Sequence, residues 1–205
     1  METKIISMNQ EDACELTLQT LYKSGVVAFP TDTVYGIGCL ISDQIAVERL
    51  FIIKGRDLSK AIPILLGDIS QIEQIAPLLN QKAMILAQHY WPGALTLIVP
   101  KLPDLLKIIS PYPTVAVRIP KHTWLQSLII KSGPLAVTSA NLSDMPPART
   151  AKEVITQLDS RIELVIDGEE CSGGVPSSIV DCSISEVKVL REGAISEKEI
   201  RCLTK

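Results

Sequence analysis

The sequence predicts an α/β or mixed α+β domain built around one twisted sheet. Apolar runs rich in β-branched residues alternate with helix-like segments along the chain, and this interleaving is typical of a sheet flanked by helices. No linker rich in Pro, Gly or Ser divides the 205 residues, and a composition that is 46% hydrophobic is enough to bury one sizeable core. We therefore expect residues 1–205 to form a single domain.

Helical patterning is bounded by recognisable start and stop signals. Asn9 is the expected N-cap of the first helix and Gly25 its stop, while Gly55 follows the second helix where a C-cap glycine belongs. Ser196 and Glu199 have the spacing of a capping box at the start of the last helix. The predicted helices are 11–23, 43–54, 69–76, 81–90, 124–131, 151–158 and 196–202.

Short runs of β-branched residues predict the strands. Pro30 ends the first strand, and Pro63 within the second argues for an edge strand or a strand start. The adjacent prolines within 143–149 predict a loop, and Trp91-Pro92-Gly93 predicts a turn. The predicted strands are 26–29, 62–66, 94–99, 114–119, 135–138, 163–166, 178–182 and 187–190.

Charge and cysteine usage narrow the class of protein. A net charge of -3 gives no broad attraction to nucleic acid or to an anionic membrane. The five cysteines form no CxxC pair, which disfavours a disulfide framework, and neither His89 nor His122 is near a cysteine, which disfavours a zinc site. The N-terminus has no signal-peptide pattern, and no apolar run approaches the ~20 residues of a membrane span. We expect a soluble, cytoplasmic protein.

Several familiar catalytic signatures are missing from the sequence. It contains no GxxxxGK[ST] phosphate loop, no GxGxxG fingerprint and no GxSxG elbow. With only two histidines, and neither close in sequence to a candidate nucleophile, a Ser-His or Cys-His mechanism has weak support.

Polar and cationic residues instead follow the ends of predicted strands and helices, where ligand sites of open α/β sheets usually lie. Arginine forks match phosphate or carboxylate oxygens, lysine adds a mobile charge, and hydroxyl and amide groups add neutral donors. The inventory suits a substrate that carries both phosphates and a carboxylate. These residues are Thr31, Asp32, Thr33, Tyr35, Lys54, Arg56, Lys60, Thr114, Arg118, Thr138, Ser139, Asn141, Ser177, Ser178 and Arg191.

Each of these features also has a purely structural interpretation. Lys54-Gly55-Arg56 can be a helix C-cap whose cations favour the helix dipole. Arg118 can be a solvent-facing strand residue, Tyr35 a core residue, and Ser139-Ala140-Asn141 a turn. Ser177 can serve only to satisfy backbone groups where a strand starts.

Several short segments follow one another in a characteristic order along the chain. They are Pro30-Thr31-Asp32-Thr33-Val34-Tyr35-Gly36, Lys54-Gly55-Arg56, Trp91-Pro92-Gly93, Val117-Arg118-Ile119-Pro120, Thr138-Ser139-Ala140-Asn141-Leu142-Ser143, Pro176-Ser177-Ser178-Ile179-Val180-Asp181 and Leu190-Arg191-Glu192-Gly193. Taken together and in order, these segments resemble the YrdC-like threonylcarbamoyl-AMP synthase family. Any one segment is a weak signal, but the ordered set, which covers roughly residues 20–195, is highly specific. Where many relatives have proline after the arginine this chain has Asp57, and Leu65 replaces a histidine of some relatives.

The resemblance implies a fold and a reaction. The fold is a mixed parallel and antiparallel sheet with a large, positively lined cavity. The reaction joins L-threonine, bicarbonate or CO2, and ATP into threonylcarbamoyl-adenylate and pyrophosphate. The product then passes to a tRNA-modifying threonylcarbamoyl transferase complex, and a direct contact with tRNA is open. Mg2+ is expected on the ATP phosphates, without a dedicated protein metal site.

The resemblance also implies roles for the residues that match its motifs. Lys54, Arg56, Ser139 and Asn141 are the expected catalytic group. The expected ATP contacts are the same four with Lys60, Thr114 and Arg191. The expected threonine pocket consists of Thr31, Thr33, Tyr35, Arg118, Thr138 and Ser177, with Arg118 pairing the carboxylate of the amino acid.

Two other functions stay open at this point. The first is a module that binds tRNA or double-stranded RNA without its own chemistry, against which the acidic balance and the 4% aromatic content argue. The second is carbamoyl-adenylate chemistry, as in the related domain of hydrogenase maturation factors.

Overall fold

A computed structural model describes residues 2–171 and 174–204. These residues form a ten-stranded sheet in the order β1-β8-β2-β3-β7-β4-β6-β5-β9-β10. The ladder is mixed: β4 pairs with β6 in parallel, and β3 pairs with β7 antiparallel. The strands are β1 Lys4–Ser7, β2 Val27–Phe29, β3 Gly36–Leu40, β4 Ile64–Leu65, β5 Leu95–Pro100, β6 Thr114–Arg118, β7 Leu135–Ser139, β8 Leu164–Asp167, β9 Ser178–Asp181 and β10 Lys188–Arg191.

Helices cover both faces of the sheet and create two apolar layers. In one layer, Leu21 and Leu128 belong to the same buried cluster as Phe29 and Val137, so helices α1 and α4 cover that face. The larger layer joins the opposite face to α2, α3 and α5. Within the described residues, no helix has both the length and the apolar character needed to cross a bilayer. The helices are α1 Ala13–Leu21, α2 Gln44–Lys54, α3 Gln81–Tyr90, α4 Thr123–Ser132, α5 Ala151–Leu158 and α6 Glu197–Leu203, with a 3-10 helix at Ile69–Gln74.

The predicted C-cap of α2 and the predicted capping box of α6 are confirmed. The Asp43 carboxylate caps α2 by accepting from the Ala46 amide, and Gly55 ends it in the left-handed region at φ 58°. The capping box of Ser196 and Glu199 is formed at the start of α6. The prediction of Asn9 as the first cap was wrong, since α1 begins at Ala13 after Asp12.

Two strands that the sequence did not predict, β1 and β3, complete the sheet. In β3, Gly36 and Gly38 interrupt the apolar pattern, so the sequence does not indicate a strand there. A Cβ atom on either glycine would lie 2.8 Å from a methyl carbon of Val137 on β7. Glycine therefore allows β3 and the Val137 side chain to approach this closely.

The short strand β4 is central, with β7 on one side and β6 on the other. The edge-strand alternative for Pro63 was therefore wrong. Its other alternative, a strand start, is correct, because Pro63 directly precedes β4. The missing N–H of Pro63 costs nothing there, and its carbonyl accepts from the Val137 amide at 2.9 Å.

Candidate active site

The first polar cluster is centred on Lys54, the last residue of α2. Its ammonium group donates to the carbonyl oxygens of Ser139 at 2.8 Å and Asn141 at 2.6 Å, and to Oδ1 of Asn141 at 2.9 Å. The side-chain amide nitrogen of Asn141 in turn donates to the backbone carbonyls of Leu142 and Met145. Lys54 therefore holds the chain that follows β7 in one fixed turn.

The electrostatics of Lys54 follow from its burial. Its residue is only 4% exposed. This desolvation, followed by the nearby charge of Arg56, lowers the pKa of Lys54 from 10.5 to about 8. The surroundings therefore disfavour the charged form of Lys54, and an anion placed beside it would stabilise that form.

Arg56 and Lys60 lie on the loop between α2 and β4. The Arg56 guanidinium donates to the carbonyls of Lys60 at 3.3 Å and Ala61 at 2.7 Å, which closes this loop on itself. Burial lowers the pKa of Arg56. Lys60 is exposed, so its side chain is accessible to a ligand.

Thr114 opens β6 and is half-buried. Its side chain lies on the same face as Arg118, four residues along the strand, while Val115 and Val117 face the core. Because β6 runs parallel to β4, Thr114 is at the sheet edge from which the Arg56–Lys60 loop enters β4.

The second polar cluster is centred on Arg118, the last residue of β6. Its guanidinium donates to the Gly93 carbonyl at 2.9 Å, to the Thr33 hydroxyl at 3.2 Å and to the Asp32 carboxylate at 2.6 Å. Arg118 is 7% exposed, so the solvent-facing alternative for it is excluded. The turn at Gly93 and the loop after β2 thus both fix the orientation of the Arg118 guanidinium.

Ser177 and Arg191 extend the second cluster along the sheet. The Ser177 hydroxyl lies 2.7 Å from the Thr96 hydroxyl of β5, and the Arg191 guanidinium donates to the Ser177 carbonyl at 2.8 Å. Partial burial and the nearby Arg118 charge lower the pKa of Arg191. The positive charge of Arg118 therefore acts on Arg191, and an anion close to both would be attracted.

The remaining predicted site residues belong to the loop after β2 and to β7. Thr31 organises its own loop, because its hydroxyl donates to the Val34 carbonyl at 2.7 Å and lies 3.0 Å from the Thr33 hydroxyl. Thr138 is half-buried on β7. Tyr35 is fully buried, and its hydroxyl accepts from the Gly168 amide at 3.1 Å, so it faces the core.

The β3–β7 ladder joins the two clusters. Gly36 pairs with Ser139 in the register, and the Ala140 amide donates to the Tyr35 carbonyl at 2.8 Å. The loop that carries Thr33 therefore enters the strand that lies against Ser139. The backbones that lead to Thr33 and Ser139 are thus hydrogen-bonded neighbours, and the β3–β7 ladder links the two clusters.

Sequence reasoning gave no role to three groups that shape this arrangement. The sequence predicts no partner for Asp32, an ordinary strand position for Thr96 and a simple turn at Gly93. Their contacts with Arg118 and Ser177 join segments far apart in the chain. Among the described residues, no group of three or more His, Cys, Asp or Glu side chains is placed to hold a metal ion.

Comparison with known proteins places this arrangement in a family. Residues 19–193 match the Sua5/YciO/YrdC family, which carries the description "Telomere recombination". Threonylcarbamoyl-AMP synthase from Bacillus subtilis is 39% identical over 186 residues, which are 89% of this chain and 54% of that protein. The corresponding protein from Vibrio vulnificus is 34% identical over 86% of this chain and 96% of its own length.

Solved structures agree with this match. The crystal structure of Pyrococcus abyssi Sua5 in complex with L-threonine superposes with a TM-score of 0.94 at 35% identity, covering 98% of this chain and 61% of that one. Escherichia coli YciO has the same fold at 23% identity, with a TM-score of 0.86 over 97% of this chain and 99% of its own.

The chain spans about half the length of some curated relatives, since it covers 54% of the Bacillus subtilis protein and 52% of the Pyrococcus abyssi one. The family match nevertheless includes both polar clusters and nearly all strands of the sheet. The ordered motifs, the fold and the relatives agree, and this chain belongs to the Sua5/YciO/YrdC family.

Proposed function

We propose that this chain is an L-threonylcarbamoyladenylate synthase, a nucleotidyltransferase that forms threonylcarbamoyl-AMP and pyrophosphate from L-threonine, bicarbonate or CO2, and ATP. The observation that carries the proposal is the continuity of the Arg118 and Lys54 clusters across the β3–β7 ladder. An amino acid and a nucleotide must meet in this reaction, and the two clusters offer adjoining binding surfaces. The names of the relatives and the threonine complex of Pyrococcus abyssi Sua5 support the same substrates.

The threonine pocket is assigned to the Arg118 cluster. The guanidinium of Arg118 binds the α-carboxylate, and the hydroxyls of Thr33, Thr138 and Ser177 bind the polar groups of the amino acid. Thr31 fixes the hydroxyl of Thr33 from 3.0 Å away. Tyr35 supports the pocket from the core side through its bond to Gly168.

The nucleotide is assigned to the Lys54 cluster and the basic groups beside it. Arg56, Lys60 and Arg191 bind phosphate oxygens, Ser139 and Asn141 supply neutral donors, and Thr114 faces the nucleoside. The Lys54 charge acts on the phosphates while its hydrogen bonds hold the 139–141 turn. When bound, Mg2+ would be held by the ATP phosphates and water, as that ion prefers, and would supply further positive charge.

This arrangement can perform the reaction without a protein nucleophile. The threonine ammonium group loses one proton to water, and the neutral amine forms a bond from nitrogen to the carbon of CO2. One C=O π bond of CO2 opens onto its oxygen as that bond forms, and a second proton passes from the nitrogen to water, which gives the carbamate. A carbamate oxygen then forms a bond to the α-phosphorus, the bond from that phosphorus to the bridging oxygen breaks, and pyrophosphate leaves. The protein contributes orientation and fixed positive charge on the phosphate oxygens.

The remaining assignments concern the context of the enzyme. We propose that residues 1–205 act as one catalytic domain in the cytoplasm, and that the product passes to a threonylcarbamoyl transferase complex acting on tRNA. A direct tRNA contact is not needed for synthesis of the adenylate. The net charge of -3 and the aromatic content of 4% argue against a function limited to RNA binding.

The decisive experiment measures pyrophosphate release from ATP by the purified chain. We expect release that needs both L-threonine and bicarbonate, with threonylcarbamoyl-AMP identified by mass spectrometry. Release that is indifferent to threonine contradicts the proposal. Release that needs carbamoyl phosphate instead of threonine assigns the chain to carbamoyl-adenylate chemistry.

A further inference from the structure

The carboxylate of Asp32 forms an ion pair with Arg118, the residue assigned above to the carboxylate of threonine. Its Oδ1 is 2.6 Å from Nη2 of Arg118, and the two side chains are 15% and 9% exposed. This ion pair is therefore largely shielded from water. An incoming carboxylate meets a guanidinium that has a resident partner.

Arg118 keeps part of its donor capacity despite that partner. A guanidinium has five N–H donors, and the protein accepts from Nε, Nη1 and Nη2 through Gly93, Thr33 and Asp32. The second hydrogens of Nη1 and Nη2 are left over from this count. A ligand carboxylate can consequently join the guanidinium without displacing Asp32.

Two carboxylates on one guanidinium leave the site with an excess negative charge. Burial makes such an excess costly, and repulsion between the two anions adds to the cost. Arg191 lies near Arg118 and compensates part of it, while His122, which also senses the charge of Asp32, has its pKa lowered by burial. A positive group on the ligand itself would restore the balance.

We propose that Asp32 is a substrate-binding residue that holds the α-amino group of threonine while Arg118 holds its α-carboxylate. A zwitterionic amino acid carries opposite charges on neighbouring groups, and the Arg118–Asp32 pair presents the complementary opposite charges side by side. Asp32 thus selects for an α-amino acid against a simple carboxylate. This inference rests on the proposed function, since it specifies how the same pocket recognises its amino acid.

The contact also serves the amine after it has lost a proton. A neutral amine, and later the N–H of the carbamate, can donate a hydrogen bond to the same carboxylate oxygen. Asp32 therefore recognises the amino group when the substrate binds, and it also keeps the nitrogen oriented during the reaction.

The test compares two ligands by calorimetry: L-threonine, and 3-hydroxybutanoate, which keeps the carboxylate and the hydroxyl but lacks the amine. The wild-type chain should bind threonine at least ~10-fold more tightly. Asp32→Asn should lower the affinity for threonine by about 10- to 100-fold, the range expected for loss of a charge-assisted hydrogen bond. The affinity of this variant for 3-hydroxybutanoate should be unchanged or higher, because the ligand carboxylate is no longer repelled by the carboxylate of Asp32.

Glu163→Gln is the matched control, because Glu163 forms an ion pair of the same 2.6 Å length with Arg49 at another part of the sheet. It should leave the preference between the two ligands unchanged. The proposal is overturned if Asp32→Asn changes both affinities by the same factor, since Asp32 then acts only as a counter-ion of Arg118.

The wild-type chain alone provides a second test that does not depend on folding of the variant. Equal affinity for threonine and 3-hydroxybutanoate overturns the role of Asp32 and leaves the synthase proposal standing. No binding of threonine, together with no threonine-dependent pyrophosphate release, overturns the synthase proposal and this inference with it.

Discussion

The ammonium nitrogen of Lys54 lies 2.6 Å from the carbonyl oxygen of Asn141, which is 87 positions further along the chain. A second carbonyl, that of Ser139, is 2.8 Å from the same nitrogen. The end of α2 and the end of β7 are therefore joined by one buried cation. In the proposed enzyme this cation both shapes the nucleotide site and contributes charge to it.

Replacement of Lys54 by methionine should reduce stability and nucleotide binding together. The methionine keeps the apolar stem but leaves the carbonyls of Ser139 and Asn141 without their donor, which costs about 1–3 kcal/mol when such groups are buried. The free energy of unfolding from urea titration and the ATP affinity from calorimetry measure the two effects.

Lys131→Met is a suitable control for that variant, because Lys131 is an exposed lysine on α4. It should change neither quantity by more than ~0.5 kcal/mol. Full stability of Lys54→Met with loss of ATP binding would show instead that Lys54 acts on the nucleotide alone.

ATP affinity should fall as the pH rises through about 8. Burial and Arg56 lower the pKa of Lys54 from 10.5 to about 8, so this lysine loses its proton well before an exposed one. Because phosphate anions favour the charged form, nucleotide binding should raise this pKa and take up protons near pH 8. Calorimetry in two buffers of different ionisation enthalpy measures the uptake directly.

Lys54→Arg separates this effect from other titrations, since an arginine keeps its charge over the whole range. If the variant folds and binds ATP, its affinity should lack the step near pH 8. A wild-type affinity that stays constant from pH 7 to about 9.5 contradicts the assignment.

Contacts close in sequence were predictable, and contacts between distant segments were not. The bounds of α3 and α5 and the capping box of Ser196 follow from patterns within about ten residues. The strand β3 was missed because Gly36 and Gly38 meet a requirement set by Val137, about a hundred positions away.

The same limit applies to the site. Arginine, lysine and hydroxyl residues after strand ends indicated an anion site, and the structure brings Thr33, Arg118 and Ser177 into neighbouring parts of one sheet. The pairing of Asp32 with Arg118, and the carbonyl partners of Lys54, depend on the fold as a whole. No local pattern encodes them, so only the resemblance assigned Lys54 to the nucleotide.

Arg56→Ala and Arg118→Ala should fail in different ways. Arg56 lies on the loop before β4 beside Lys54, whereas Arg118 touches Thr33 and Asp32. Loss of Arg56 should mainly lower the affinity for ATP, and loss of Arg118 should mainly lower the affinity for threonine, each by ~10-fold or more. Calorimetry with each ligand, after circular dichroism has confirmed the fold, measures the partition. Equal loss of both ligands in both variants would show that the two clusters act as one site.

Gly193→Ala should damage the threonine pocket through the backbone. A Cβ atom at Gly193 would lie 2.2 Å from the Pro176 carbonyl oxygen and 2.7 Å from the Ser177 carbonyl carbon. The chain before β9 must then shift, which moves the Ser177 hydroxyl away from Thr96 and costs about 1–3 kcal/mol of stability. Threonine affinity should fall in calorimetry.

Gly133→Ala provides the comparison that distinguishes this displacement from a general loss of stability. Gly133 has a φ of 89° with no atom within 4 Å of an added Cβ, so alanine there is strained without a clash. It should lower the free energy of unfolding by about 1–2 kcal/mol and leave threonine affinity intact, because Gly133 ends α4 on a different part of the fold. Equal threonine affinity in the two glycine variants would mean that the position of Ser177 does not determine binding, and Ser177 would then have to be removed from the proposed pocket.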